Sequence, residues 1–339
     1  MTILYLFRSP GTGHSIEQLF HTIRCEVERQ GESVRAVVLP RISQGLRSVW
    51  QNLRFARRLT ADLIHITGDV HYIALALPAS RTILTIHDCF LLVNNRHRPL
   101  RYAIFWLFWY YLPMRRAGVV TAVSEKTRTE LIRHVGRLAT RVEVVSNGYD
   151  PVFSYRPNQF NHYQPTLLQI GTADHKNLFR LLAAIQGIFC TLVIVGPLPN
   201  KLITELHQRG IWFRQYINLT KAAMVQLYAK CDMVTFVSTY EGFGMPILEA
   251  NAVGRVVITS DRSPMREVAA GAAHLVDPDD TIAIREGILR LIHNEPYRQS
   301  LIEAGLINAQ RHTAASVADQ YRTLYRQLRP VHQPASVAS

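Results

Sequence analysis

Glu241 and Glu249 are separated by seven residues in the run Ser238-Thr239-Tyr240-Glu241-Gly242-Phe243-Gly244-Met245-Pro246-Ile247-Leu248-Glu249-Ala250. The apolar stretch Met233–Val237 before it reads as a buried strand, and apolar residues at helical spacing follow it. That places Glu241, Gly242 and Gly244 where a strand ends, and Glu249 about two turns into a helix. In a parallel α/β sheet, ligands bind at the carboxyl ends of the strands. Glycines there let a ligand approach the backbone, and the N–H groups at a helix start attract phosphate. The chemistry indicated is the holding of a phosphorylated ligand. The plainer alternative is an ordinary strand–turn–helix with one exposed and one capping glutamate.

Other polar groups fall at strand ends too. His87-Asp88 closes the strand-like run Arg81–Ile86. Its histidine either faces a ligand crevice or satisfies a neighbouring backbone group. Near the N-terminus, Arg8-Ser9-Pro10-Gly11-Thr12-Gly13-His14 is a Gly-rich loop, but Gly11 and Gly13 fall short of Gly-x-Gly-x-x-Gly, which argues against a dehydrogenase. The four cysteines, Cys25, Cys89, Cys190 and Cys231, are far apart and show no metal or redox spacing. They fit buried, reduced thiols in a cytoplasmic chain.

The elements that must position these groups alternate. Strands are expected at Ile3–Phe7, Val34–Leu39, Asp62–Ile66, Arg81–Ile86, Val119–Val123 and Val142–Val145, with helices between them at Ser15–Gln30 and Ile42–Leu59 and one capped by Ser124. Phe153–Pro165 is polar and reads as a linker. A second set follows: strands at Leu167–Gly171, Thr191–Val195, within Ile211–Leu219, and at Met233–Val237, Val256–Thr259 and Ala273–Val276, with helices including Leu178–Gln186 and Lys221–Lys230. Helices at Asp279–His293, Pro296–Arg311 and Ser316–Leu328 close the chain. This is α/β architecture in two doubly wound units, 1–157 and 158–315, then a helix over 316–329 and a tail over 330–339 expected to be disordered.

At 339 residues and 48% hydrophobic content, two ordinary domains fit. Met1–Phe7 reads as a strand rather than a signal peptide, and no apolar run is long enough to span a bilayer. The formal charge is +13, and it is lopsided: residues 1–157 hold 21 Lys/Arg against 11 Asp/Glu, residues 158–339 hold 17 against 14. This suggests either a polyanionic partner or a solvated basic face. In residues 96–116, thirteen apolar or aromatic residues, Tyr102–Met114, are flanked by arginines. Two placements suit them: a helix lying on an anionic membrane surface with its aromatics at headgroup depth, or a core helix of the first domain. No nucleic-acid recognition motif accompanies the charge, so no nucleic-acid partner is expected.

Six strings in order resemble the retaining nucleotide-sugar glycosyltransferases with the GT-B fold and a Glu-x7-Glu motif, glycosyltransferase family 4 or group 1. They are Thr85-Ile86-His87-Asp88, Thr121-Ala122-Val123-Ser124-Glu125, Val145-Ser146-Asn147-Gly148, Gly171-Thr172 with Lys176-Asn177, the Glu241–Ala250 run, and Leu275-Val276-Asp277-Pro278. The resemblance implies two Rossmann-like domains facing across a cleft. The C-terminal one takes a UDP- or GDP-hexose, the N-terminal one a saccharide or lipid-linked acceptor, and the last helix crosses back to the first domain. By position, Glu249 matches the glutamate on the nucleotide ribose. Glu241 matches the one beside the donor sugar, and Lys176 the cation on the diphosphate. Gly242, Phe243, Gly244, Met245 and Pro246 match the donor-binding bend, and the N–H groups from Phe243 to Ile247 are implied to add to that grip. His87 matches a histidine near the reacting carbon, and Gly13 a loop approaching the diphosphate.

The chain departs from the family's commonest pattern in lacking a second diphosphate cation, an arginine; His175 precedes Lys176 instead. The implied reaction is hexosyl transfer with retention of configuration, in surface polysaccharide or lipopolysaccharide assembly, cytoplasmic or peripheral on the inner face of the membrane. No cofactor or metal is implied: Asp277-Pro278-Asp279 spells Asp-x-Asp but matches a structural strand end of the family. The alternative is an inactive module of the same fold attached to a membrane assembly complex.

Overall fold

β1 (Thr2–Phe7) is apolar on both faces and almost entirely buried, as a strand covered by helices on both sides must be. The computed structural model describes residues 1–11 and 15–328. Among these, β1 is joined in parallel by β2 (Ser33–Val38), β3 (Leu63–Ile66), β4 (Thr82–Ile86), β5 (Val119–Ala122) and β6 (Glu143–Val144), in the order β2-β1-β3-β4-β5-β6. A second parallel sheet holds β7 (Thr166–Ile170), β8 (Thr191–Val195), β9 (Trp212–Tyr216), β10 (Met233–Phe236), β11 (Val256–Ser260) and β12 (His274–Val276), in the order β12-β11-β10-β7-β8-β9. Each is a doubly wound sheet. The order reverses beside β1 in the first and beside β7 in the second.

The chain divides into Met1–Ser146 with the helix Ala314–Gln327, and Asn147–Thr313. The sequence boundary falls after residue 157. In the structure, residues 147–157 belong with the second unit, where the Tyr149 N–H donates to the His312 carbonyl (3.0 Å) and the Arg156 N–H to that of Val253 (3.2 Å). The expected tail, 330–339, lies outside the described residues. Cys89, Cys190 and Cys231 are buried, but Cys25 is exposed, because it sits on the outer face of the helix Ser15–Arg29. The helix Asn200–Gln208, not anticipated from sequence, buries only Leu202 and Leu206.

In the first unit, a buried polar chain ties the C-terminal helix to the sheet. The Tyr5 hydroxyl meets that of Tyr325 (2.8 Å), which meets His65 Nδ1 (2.9 Å); His65 Nε2 meets the Thr85 hydroxyl (2.7 Å), and Thr85 meets Thr121 (2.8 Å). Burial drops the His65 pKa to about 3, so the ring stays neutral within this network.

In the second unit, buried Arg255 acts as a clamp between two helices. It donates to the carbonyls of Tyr228 (3.0 Å) and Ala229 (2.7 Å) at the end of the helix Lys221–Lys230. It also donates to those of Val253 (3.3 Å) and Gly254 (2.9 Å) at the end of the helix Met245–Val253, and to Arg156 (2.9 Å). A guanidinium at two helix C-termini satisfies terminal carbonyls and meets the negative ends of both dipoles. Arg255→Met is expected to leave these carbonyls without their donor and to lower unfolding free energy by about 3 kcal/mol. Arg255→Lys, which cannot reach both helices with a fork, should recover only part of it; urea denaturation of the two variants measures both.

Candidate functional site

The reversal of the second sheet lies between β7 and β10, and this is where such folds hold ligands. Lys176 comes from the turn after β7, Glu241 from the loop after β10. Their side chains meet, Nζ to Oε1, at 2.5 Å. The local sequence makes this contact. Gly171 leaves β7 at φ +86°, and the Lys176 stem lies against it: a Cβ there would stand 2.8 Å from Lys176 Cε. Asn177 takes the left-handed conformation at φ 62°. Its side chain donates to the carbonyls of Val237 (3.0 Å) and Pro278 (2.7 Å), which ties the turn after β7 to the loops after β10 and β12. The Thr239 N–H donates to the His175 carbonyl (2.8 Å), and the Lys176 ammonium rests 4.9 Å from the centre of the Phe236 ring.

The bend after Glu241 enters the helix Met245–Val253 through Gly244, at φ +126°, with Pro246 in the first turn. Phe243 is buried and sets its ring edge-on to His312. Not every amide from Phe243 to Ile247 is a donor for a ligand. Pro246 has no N–H, and that of Ile247 donates to the Gly244 carbonyl (3.0 Å). The donors of the bend reduce to Phe243, Gly244 and Met245.

Glu249 has its own partner, Tyr228, whose hydroxyl donates to Oε2. Burial pushes the Glu249 pKa up to about 7; the Tyr228 hydrogen bond opposes the shift and nearby Asp150 adds to it. Asp150 is itself ion-paired to Lys221. Burial and the Glu249 charge raise the Tyr228 phenol well above its ordinary range. A depression of about 560 Å³ opens at the ends of β7 and β8, lined by Thr172, Ala173, Asp174, Pro197, Leu198 and Pro199. Asp277 and Asp279 face arginines: Arg262 lies on both, and Arg180 is 3.1 Å from Asp279. Among the described residues, no three His, Cys, Asp or Glu side chains gather as metal ligands.

In the first unit, the reversal lies between β1 and β3. Arg8, at the end of β1, is buried. It holds Glu17 through Nε (2.6 Å) and Nη2 (3.1 Å), and Asp69, after β3, through Nη1 (3.3 Å). His87 follows β4 and donates from Nε2 to the Thr67 carbonyl (2.8 Å), so it does satisfy a backbone group. That bond fixes the tautomer and leaves Nδ1 as the ring's acceptor. Burial lowers its pKa, so the ring is neutral at pH 7. Burial raises that of Asp88, which accepts the Phe90 N–H (2.8 Å). Gly13 lies outside the described residues.

The structure thus brings Lys176 and Glu241 together and sets Glu249 on the adjoining helix. His87 belongs to the other unit. Sequence reasoning missed Tyr228, Asp150, Arg8 and Asp69, whose partners are distant along the chain. A titration tests Glu249. Between about pH 4.5 and 7 the unfolded chain releases this proton while the folded one keeps it, so folding stability falls across that window and levels off above it. Glu249→Gln removes the loss: its stability relative to wild type should rise from pH 5 to 7 and stay flat above. Tyr228→Phe should move the Glu249 titration, followed by carboxyl-carbon NMR, to higher pH.

Comparison with known proteins identifies the family and the fold. The family described as "Glycosyl transferases group 1" matches residues 154–306, and "Glycosyltransferase Family 4" matches residues 5–153. An O-antigen chain mannosyltransferase B of Escherichia coli is 26% identical over 73% of this chain and 71% of its own length. A serotype-specific mannosyltransferase WbdA of the same organism is 28% identical over 88% of this chain but only 39% of its own length. Among solved structures, Anabaena Alr3699/HepE in complex with UDP and glucose superposes with a TM-score of 0.76 at 20% identity, covering 96% of this chain and all of that one. Sucrose-phosphate synthase from Thermosynechococcus elongatus superposes at 0.83 and 16%, covering 97% and 99%. The fold is that of the GT-B glycosyltransferases, and the chain belongs to the glycosyltransferases of group 1 and family 4.

Proposed function

We propose that this glycosyltransferase moves a hexosyl unit from a UDP- or GDP-hexose to a saccharide or lipid-linked saccharide, retaining the anomeric configuration, in surface polysaccharide or lipopolysaccharide assembly. The observation that carries this reading is the Lys176–Glu241 pair at the switch point of the second sheet, beside the Gly244 bend. As the glycosidic bond breaks, the departing nucleoside diphosphate gains charge. A fixed ammonium and the amides of Phe243, Gly244 and Met245 stabilise that charge more than they stabilise the bound donor. Glu241 orients the ammonium and accepts from hydroxyls of the donor sugar. Glu249, held by Tyr228, accepts from the ribose.

In this scheme the acceptor attacks the face that the diphosphate leaves, through an oxocarbenium-like state, and a phosphate oxygen takes the acceptor proton. His87, neutral and with Nδ1 as acceptor, hydrogen-bonds a hydroxyl near the reacting carbon. Lys176 supplies the positive charge without a metal, and the Asp277 and Asp279 carboxylates are already matched by arginines. The mannosyltransferase relatives favour a mannosyl donor; the UDP-bound neighbour keeps a uridine donor in view.

The test has two parts. GDP-mannose and UDP-glucose, offered with candidate lipid-linked acceptors, should give transfer from one, and proton NMR of the product should show the donor's anomeric configuration; an inverted product overturns retention. Lys176→Ala should lower kcat/KM by about 10²- to 10³-fold. Unaltered turnover in that variant would remove the diphosphate assignment.

A further inference from the structure

Residues 33–61 hold six arginines and no acidic residue, and residues 89–124 hold five and none. The rest of residues 1–157 holds ten basic and eleven acidic residues, so the charge excess of this half sits in these two stretches.

The fold makes the two stretches neighbours. The first forms the helix Gly45–Ala56. The second forms the helix Pro99–Phe105, a π-helical turn Trp106–Tyr111 and the helix Leu112–Arg116. Both pack on the short helical segment His71–Ala76, where Tyr72 accepts from Asn52 Nδ2 (2.9 Å) and sets its ring 4.7 Å from that of Trp109. The aromatic residues of the second stretch split between two faces. Trp106 Nε1 donates to the His134 carbonyl (2.9 Å), Trp109 Nε1 to that of Asp69 (3.1 Å), and the Tyr102 hydroxyl meets His134 Nδ1 (2.9 Å). The polar ends of Tyr102, Trp106 and Trp109 are bonded to the protein itself, so these three take the core placement, whereas Phe108 stays exposed.

What remains outward is apolar and basic. Leu100, Ile104 and Phe108 recur every fourth residue and are exposed, Leu100 by 75%, with Arg98 and Arg101 at one end and Arg115 and Arg116 at the other. On the helix Gly45–Ala56, Leu46 and Trp50 are 90% and 58% exposed, and Arg54 lies over the Trp50 ring. Among the described residues, no helix is long and apolar enough to cross a membrane.

We propose that these two stripes together dock the protein on an anionic lipid bilayer. Leu46 and Trp50 from one element and Leu100, Ile104 and Phe108 from the other enter the headgroup–acyl boundary, while the arginines around them engage lipid phosphates. Exposed apolar side chains among arginines, in two stretches that hold no carboxylate, match both components of such a surface. A soluble polyanion would use the arginines and leave the leucines and isoleucine unpartnered. The proposal stands independently of the transfer chemistry, because no residue of the Lys176 and Glu241 cluster takes part.

Co-sedimentation of the full chain with sucrose-loaded vesicles tests it. Binding to phosphatidylcholine containing phosphatidylglycerol, little binding to phosphatidylcholine alone, and weakening with salt are expected. The pairs Leu46→Ser/Trp50→Ser and Leu100→Ser/Ile104→Ser should each lower the partition coefficient about tenfold or more, and the quadruple variant should abolish binding. All of these side chains are exposed, so the thermal midpoint should hold, which separates lost docking from lost folding. Equal binding to neutral vesicles, a loss confined to one pair, or full retention of binding by the quadruple variant would each overturn the two-stripe surface.

Discussion

An ammonium and a carboxylate 2.5 Å apart, the lysine 17% and the glutamate 13% exposed, set the constraint on which the second unit depends. Half-buried charges are screened less than exposed ones, so each of the two leans on the other more than a surface pair would. The unusual backbone around the pair follows from that need. Gly171 must lack a side chain for the lysine stem to lie against it, and Asn177 must turn left-handed to tie three loops at once. The pair also rests on its own sheet: Lys176 and Glu241 follow the two adjacent strands between which the order reverses, so neither needs a long loop to reach the other.

The same logic reaches one layer back. Glu249 sits on a helix whose end is clamped by Arg255, and Arg255 also clamps the helix that carries Tyr228. One buried guanidinium therefore fixes the relative placement of a phenol and the carboxylate it serves. That carboxylate is held near its midpoint at neutral pH, a state that burial alone would push further toward the acid and that the Tyr228 hydroxyl restrains. The cluster is a coupled set in which charge, hydrogen bond and helix end each depend on the next.

Much of this was legible in the chain. Buried parallel strands are near-continuous apolar runs, so β1, β7, β8 and β10 announce themselves, and the glycines of the Glu241–Ala250 run mark the bend. What stayed hidden are partnerships made only by folding. Tyr228 lies one strand before Glu249, and nothing in their spacing distinguishes it from an ordinary helix tyrosine. Arg8 meets Glu17 within its own strand–loop–helix but also Asp69, two strands away in sequence. The helix Asn200–Gln208 buries two leucines against a polar remainder, too weak a pattern to stand out. Residues 147–157 fall with the second unit, where backbone hydrogen bonds from Tyr149 and Arg156 hold them, and composition carries no sign of such bonds.

The stretch 102–114 shows why a choice between core and surface can be a false one. Thirteen apolar residues in a helical path cannot all face one way. In the helix Pro99–Phe105 the Tyr102 phenol meets an imidazole, and in the π-helical turn that follows the indoles of Trp106 and Trp109 reach backbone carbonyls. Amphipathic aromatics prefer the side where their polar ends can be satisfied, which here is the interior. Leucine, isoleucine and phenylalanine carry no polar end to satisfy and are left facing out at 100, 104 and 108. An outward apolar row of this kind is disfavoured in water unless something covers it, and the surrounding arginines, with no carboxylate to neutralise them, specify that the cover be anionic.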